Sequence, residues 1–200
     1  MQHFYRDIEG WGAFLPLYAD VVKRFPIGSR FVEVGSWLGK SAAFMAVEIE
    51  NSGKQIEFVC VDPWLDGGPD LRNTRYFKDL KVQTVYDIFQ RNIAPVQHRI
   101  KSMRMPSVEA ARFMTDRSVD FLMLDGDHGY EAVQADLRAW LPKMKTDGLI
   151  SGDDFTWPGV ERAVREVFSP AQIKTVINGS DKGRRKADYR KDSSYWMVQL

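Results

Sequence analysis

The stretch FVEVGSWLGKSA, Phe31 to Ala42, decides how the chain is read. An apolar run leads into two glycines, then Lys40 and Ser41. Three kinds of ligand-holding turn share that outline. A phosphate loop needs Gly, four residues, then Gly-Lys-Ser/Thr. Here only Ser36, Trp37 and Leu38 separate Gly35 from Gly39. A loop that wraps a phosphate with successive N–H groups has a fixed circumference, so one missing residue counts. Glu33, just before the first glycine, would also repel phosphate. A dinucleotide fingerprint needs G-x-G-x-x-G. Trp37 stands where its second glycine belongs.

The third outline fits better. An acid near a strand end, a glycine turn and a following helix suit a ligand that carries an ammonium and a carboxylate. Glu33 can organise the amino group, and exposed N–H groups of the turn can take the carboxylate. Asp62 closes the next apolar run and can accept both ribose hydroxyls. The competing structural reading is that Gly35 makes a tight turn and Asp62 caps a loop before Pro63. Together, at the ends of consecutive strands, the residues point to an adenosyl ligand. A kinase or hydrolase using Lys40, Ser41 and Asp125 is the alternative.

Around this turn, short apolar runs alternate with helical spacing. Arg30 to Gly35, Ile56 to Asp62, Val119 to Asp125 and Leu149 to Asp153 read as strands covered on both faces. Helical spacing appears at Val82, Val85, Tyr86, Phe89 and Ile93. It recurs at Tyr130, Val133, Leu137, Trp140 and Leu141, and at Val160, Ala163, Val164, Val167 and Phe168. Pro158 can open a helix, and Gly148 sits in the turn before a strand. Trp11 to Phe25 carries an apolar stripe that Pro16 must break or start. Alternating strands and helices imply a doubly wound, mostly parallel α/β sheet. Ile173 to Ile177 and Tyr195 to Leu200 read as strands joined without a helix, hence an antiparallel C-terminal strand. Asp66 to Asp79 and the basic Gly179 to Lys191 read as surface loops. The expected organisation is one domain over 1–200, with an N-terminal helical region over 1–28.

Composition narrows the function classes. The chain of 200 residues is 44% hydrophobic, which suits one packed core. Lys and Arg number 28 against 27 Asp and Glu, so no global charge points to nucleic acid or a membrane surface. Cys60 is the single cysteine, which excludes an internal disulfide and a four-cysteine zinc site. No apolar run reaches membrane-span length, and the N-terminus lacks a secretion pattern. A cytoplasmic protein acting on a small hydroxylated molecule is expected, and a homo-oligomer is compatible with the sequence.

The densest chemistry lies in LDGDHGYE (Leu124 to Glu131) and SGDDFTWPG (Ser151 to Gly159). Asp125 ends one strand, and Asp153 and Asp154 end the next. On neighbouring parallel strands about 4.8 Å apart, these carboxylates crowd at the edge where open α/β sheets bind ligands. Crowded carboxylates repel unless neutralised, and a hard divalent cation, Mg2+ first, is the natural partner. The alternative is that Asp153 and Asp154 cap the helix near Pro158 and Asp125 lies in a turn. A cation there would acidify a substrate hydroxyl. His128 or Asp127 could accept its proton, a neutral His being the better base near pH 7.

The runs FVEVGSWLGKS, VCVDPW, SVDFLMLDGDHGYEAVQADLRAWLPKMKTDGLISGDDF and WPGV resemble class I S-adenosylmethionine-dependent methyltransferases. More narrowly, they resemble the branch with macrocin-type sugar O-methyltransferases; catechol-type enzymes are more distant. The resemblance spans roughly residues 8 to 170. It implies a Rossmann-like sheet of seven strands, six parallel and one antiparallel. It implies cofactor contacts at Glu33, Gly35, Ser36 and Asp62, with Ser107 near the adenine. Lys40, Ser41 and Asp125 complete the candidate cofactor set. Asp125, Asp153 and Asp154 match the metal ligands of metal-dependent members. His128 falls where catechol-type enzymes carry a catalytic lysine, and Asp127 where sugar enzymes carry an aspartate. The GSWLG turn is poorer in glycine than is usual, and Lys40 either meets the cofactor carboxylate or faces solvent.

Overall fold

The strands of one sheet run in the order β3-β2-β1-β4-β5-β7-β6. They are β1 (Arg30–Val34), β2 (Glu57–Asp62), β3 (Ile100–Arg104), β4 (Val119–Leu124), β5 (Met144–Asp153), β6 (Lys174–Ile177) and β7 (Ser194–Gln199). The computed structural model describes residues 1–65, 84–177 and 194–200. Val82 and the two expected surface loops lie outside the described residues. Neighbouring pairs from β3 through β5 are parallel, while β7 lies antiparallel between β5 and β6. Six strands therefore point one way and β7 the other.

The register explains the near-continuous apolar runs. Phe31 pairs with Phe58 and Phe121, and Phe121 with Leu149. These four belong to one core. Val32 pairs with Val59 and Leu122, and Leu122 with Ile150. These belong to the other. Each apolar side chain removed from water contributes about 1.5–3 kcal/mol, so a strand buried on both faces cannot afford the polar alternation of a half-exposed one.

Helices cover both faces. On the first lie α1 (Leu15–Arg24), α2 (Lys40–Ser52) and α3 (Val85–Ile93); on the second, α4 (Ser107–Arg112), α5 (Tyr130–Trp140) and α6 (Pro158–Val167). Pro16 lies in the first turn of α1 and Pro158 opens α6, both tolerated because first-turn N–H groups have no helical partner. Val167 is 38% exposed where the helical stripe places it inward, because α6 ends at that residue. The edge strand β3 has no counterpart in the apolar-run reading. It carries Lys101 and Arg104 and is only partly buried, as suits an edge that must resist further strand pairing.

The order reverses between β1 and β4. β1 leads outward to β2 and β3, and β4 then pairs on its other side. Such a switch point opens a crevice at the carboxyl ends of the strands, and the glycine turn and the acidic residues both stand there. No helix among the described residues is long and apolar enough to cross a membrane.

Candidate active site

The glycine turn leaves β1 and enters α2. Gly35 has φ +89°, and a Cβ there would lie 1.9 Å from the Asp125 carbonyl oxygen. Only glycine allows the β1 turn and the end of β4 to touch this closely. The Gly35 N–H donates to Val61 O at 2.8 Å, and the Asp125 N–H to Val34 O at 2.8 Å. Gly39, with φ +87°, is the N-cap of α2 and packs under Phe89 and Ile93.

Asp62 clamps the turn. Its Oδ2 accepts the Trp37 N–H at 2.9 Å and its Oδ1 the Trp64 N–H at 2.6 Å. The Trp64 indole N–H in turn donates to Trp37 O at 2.8 Å. The structural reading of Asp62 is thus realised. An ionised carboxylate has further lone pairs, so ribose contact is still open to it. Burial pushes the Asp62 carboxyl above the usual range, against the Trp37 and Trp64 N–H groups that pull it down.

Glu33 is 1% exposed. Its Oε2 accepts the Tyr18 hydroxyl at 2.7 Å. Its Oε1, like the buried Ser36 Oγ, has no hydrogen-bond partner among the described residues. Burial pushes the Glu33 carboxyl up to about 7, against the nearby Tyr18, Ser36 and Ser41 hydroxyls that lower it, of which only Tyr18 makes a hydrogen bond of ordinary geometry. Buried polar atoms are almost always paired, so these two are placed for a ligand. An ammonium group fits both, which is the fit expected of a cofactor with an amino-acid end. Lys40 and Ser41 open α2, Ser41 buried and Lys40 half-buried against Gly10. Ser107 opens α4, and its Oγ accepts the Trp140 indole N–H at 2.8 Å.

The acidic edge lies beside the turn. His128 Nε2 is 3.6 Å from both Asp125 Oδ1 and Asp154 Oδ2. It has no hydrogen-bond partner among the described residues. Burial pulls the imidazole down, but the Asp125, Asp154 and Asp153 carboxylates outweigh it and hold it above the ordinary histidine value. Burial, with Asp125 and Asp154, pushes the Asp153 carboxyl up to about 8. Burial likewise raises Asp125 and Asp154, which His128 opposes. Asp127 is exposed and turned back on its own loop, its Oδ1 accepting the Gly129 N–H at 2.7 Å. The helix-cap alternative for Asp153 and Asp154 does not hold: the N-cap of α6 is Trp157, with no side-chain cap.

One residue that spacing did not single out belongs here. Asp136 on α5 is 8% exposed, with its carboxyl pushed up to about 6 by burial. Together with Asp153, His128 and Trp196 it lines a cavity of about 10 Å³ beneath the acidic loops. Backbone strain is concentrated nearby. Of the non-glycine residues with left-handed backbone among the described residues, Trp37, Trp64 and Asp154 stand at this edge and only Arg117 lies elsewhere.

The metal expectation finds less support. Among the described residues, no three His, Cys, Asp or Glu side chains come together as a metal-holding group. Asp125, Asp153 and Asp154 share one edge without converging as a ligand set.

A seven-stranded sheet with an inserted antiparallel strand, a glycine turn at its switch point and an acid ending each flanking strand define a class I, S-adenosylmethionine-dependent methyltransferase. The family described as a methyltransferase domain matches residues 32–155, more than half of the chain, and the chain belongs to it. No curated protein matches the sequence. Many solved structures share the fold. An O-methyltransferase from Bacillus cereus in complex with SAH is 12% identical, with TM-score 0.61, covering 96% of this chain and 83% of that one. A SAM-dependent O-methyltransferase from Thermotoga maritima is 11% identical, with TM-score 0.61, covering 96% and 67%. A precorrin 8W decarboxylase from Methanobacterium thermoautotrophicum is 14% identical, with TM-score 0.60, covering 98% and 95%. At these identities the likeness is one of fold. Neither family nor fold supports the phosphate-loop kinase or hydrolase alternative.

Proposed function

We propose that the enzyme transfers a methyl group from S-adenosylmethionine to a hydroxyl of a small molecule, a sugar, glycoside or phenol, with His128 as the general base. The observation that carries this reading is His128 Nε2, unpartnered among the described residues, at 3.6 Å from Asp125 and Asp154 and next to the cofactor turn. When bound, S-adenosylmethionine supplies an electrophilic methyl group on a sulfonium. Glu33 and Ser36 hold its amino-acid end, and Asp62 lies within the same turn. His128 takes the proton of the acceptor hydroxyl as the oxygen becomes nucleophilic. Asp125 and Asp154 then stabilise the imidazolium. Positioning and this charge stabilisation do most of the work. Asp127 is the weaker base candidate because one of its oxygens is committed to Gly129.

The macrocin-type branch and a divalent cation at Asp125, Asp153 and Asp154 rest on the sequence resemblance and on the oxygen chemistry of three acids at one edge. Nearly balanced charge supports a small hydroxylated partner rather than a nucleic acid.

Mass spectrometry of the purified protein for a retained adenosyl ligand, then a hydroxyl-substrate panel with and without EDTA, tests the proposal. A retained ligand and methyl ether products support it; EDTA sensitivity establishes the cation. Methylation on nitrogen or carbon alone, or tight ATP binding without adenosylhomocysteine binding, overturns it.

A further inference from the structure

Tyr18 lies on α1, outside the glycine turn and outside the acidic edge. It is fully buried, edge-on to Phe121 at 5.7 Å and tilted against Phe14 at 5.1 Å. A phenol in that setting would pack as well without its hydroxyl. The hydroxyl nevertheless reaches across the core to Glu33 Oε2 at 2.7 Å. A buried carboxylate with no partner on either oxygen is free to rotate or to take up a proton. One O–H donor changes both. It fixes the side-chain torsion, and it occupies one oxygen so that the other is the only one left for a ligand. That other oxygen, Oε1, is the atom without a partner, and Ser36 Oγ three residues on has none either among the described residues.

We infer that Tyr18 is a positioning residue for the cofactor's ammonium group: its hydroxyl holds Glu33 oriented so that Oε1 and Ser36 Oγ receive the amino end of the methyl donor. The inference rests on the cofactor assignment and adds a residue from a helix that lies before the matched family region. It gives α1 a role in recognition beyond covering the sheet. A hydrogen bond to a charged group carries enough free energy for the loss to appear as roughly a tenfold change in affinity.

Calorimetry of the wild type and Tyr18→Phe with two probes tests this. S-Adenosylhomocysteine carries the ammonium; 5′-methylthioadenosine carries the nucleoside and sulfur but no amino-acid end. Tyr18→Phe is expected to weaken adenosylhomocysteine about tenfold and leave methylthioadenosine within about twofold. In Glu33→Gln, adding Tyr18→Phe should cost nothing further, since coupled residues are not additive. Equal weakening of both probes would mean that Tyr18 only supports the fold and would overturn the inference. So would unchanged adenosylhomocysteine affinity. Should the variant not fold, ring-carbon NMR of the wild type carries the test. The Tyr18 signal must move with adenosylhomocysteine and stay still with methylthioadenosine; any other pattern overturns the inference. A wild type that binds methylthioadenosine but not adenosylhomocysteine would instead remove the cofactor assignment itself.

Discussion

The glycine turn and the acidic edge touch through Gly35 and Asp125, yet they are built on opposite principles. In the turn, the Gly35, Trp37 and Gly39 N–H groups are already engaged, and Asp62 spends both oxygens fixing its shape. The buried atoms left unpartnered there among the described residues are few: Glu33 Oε1 and Ser36 Oγ. The acidic edge is the reverse. Burial raises the carboxyls of Asp125, Asp153 and Asp154, the Asp154 charge adds to the rise of the other two, and His128 opposes it. One region is rigid and nearly satisfied, which suits binding. The other stores electrostatic tension, which suits proton transfer.

The sharpest way to break this contrast is to separate the two regions. Gly35→Ala places a Cβ 1.9 Å from Asp125 O at φ +89°. We expect a loss of more than about 3 kcal/mol, roughly 10 °C in melting temperature, or failure to fold. A thermal melt close to wild type would show that the regions do not lean on each other.

The next largest effect should fall on chemistry alone. His128→Ala is expected to lower kcat by about 10²- to 10⁴-fold and leave adenosylhomocysteine affinity within about twofold of wild type. Asp127→Asn should stay within about tenfold in kcat. Because the carboxylates hold His128 above its ordinary value, the rising limb of the kcat profile should lie above pH 6.5. Asp154→Asn should move that limb to lower pH. An unmoved limb would assign the base elsewhere.

Stability against pH reads the acidic edge through its most strongly raised carboxyl. Asp153 titrates near 8 in the folded chain and near 3.8 unfolded. Its contribution is fully present below the unfolded value and is lost as pH rises toward the folded one, because the folded state keeps the proton longer. Asp153→Asn should therefore raise the melting temperature at pH 9 and change it little at pH 4. A fall at pH 9 in the presence of Mg2+ would instead show that a cation neutralises the edge.

The smallest effect belongs to the turn. Glu33 titrates near 7, so adenosylhomocysteine affinity should rise by up to about tenfold between pH 6 and 8 as Glu33 ionises. Glu33→Gln should flatten that dependence. Calorimetry at the two pH values reads it.

Much of this was legible in the sequence. Strands buried on both faces write long apolar runs, and acids at their ends stand out against them. The glycine spacing that ruled out phosphate also marked the point where β1 meets β4. The illegible parts have physical causes. β3 is an edge strand whose partly buried, charged residues mimic a loop. Tyr18 sits in the apolar stripe of α1, where a hydroxyl at the core side is indistinguishable from packing. Asp136 lies beside Leu137 on the inward face of α5, and the cavity it lines is shared with Trp196 of β7, far along the chain. Asp62 was visible as an acid at a strand end, but its clamp on Trp37 depends on a left-handed backbone that no spacing encodes.

The central claim is that a methyl donor at the turn meets a hydroxyl activated at the edge. Transfer of labelled methyl from S-adenosylmethionine to a panel of sugars, glycosides and phenols tests it most directly, comparing wild type with His128→Ala. The account predicts label on an acceptor oxygen with the wild type and a loss of at least about a hundredfold with the variant, at unchanged cofactor affinity. Label on nitrogen or carbon, or equal rates for the two proteins, would contradict it.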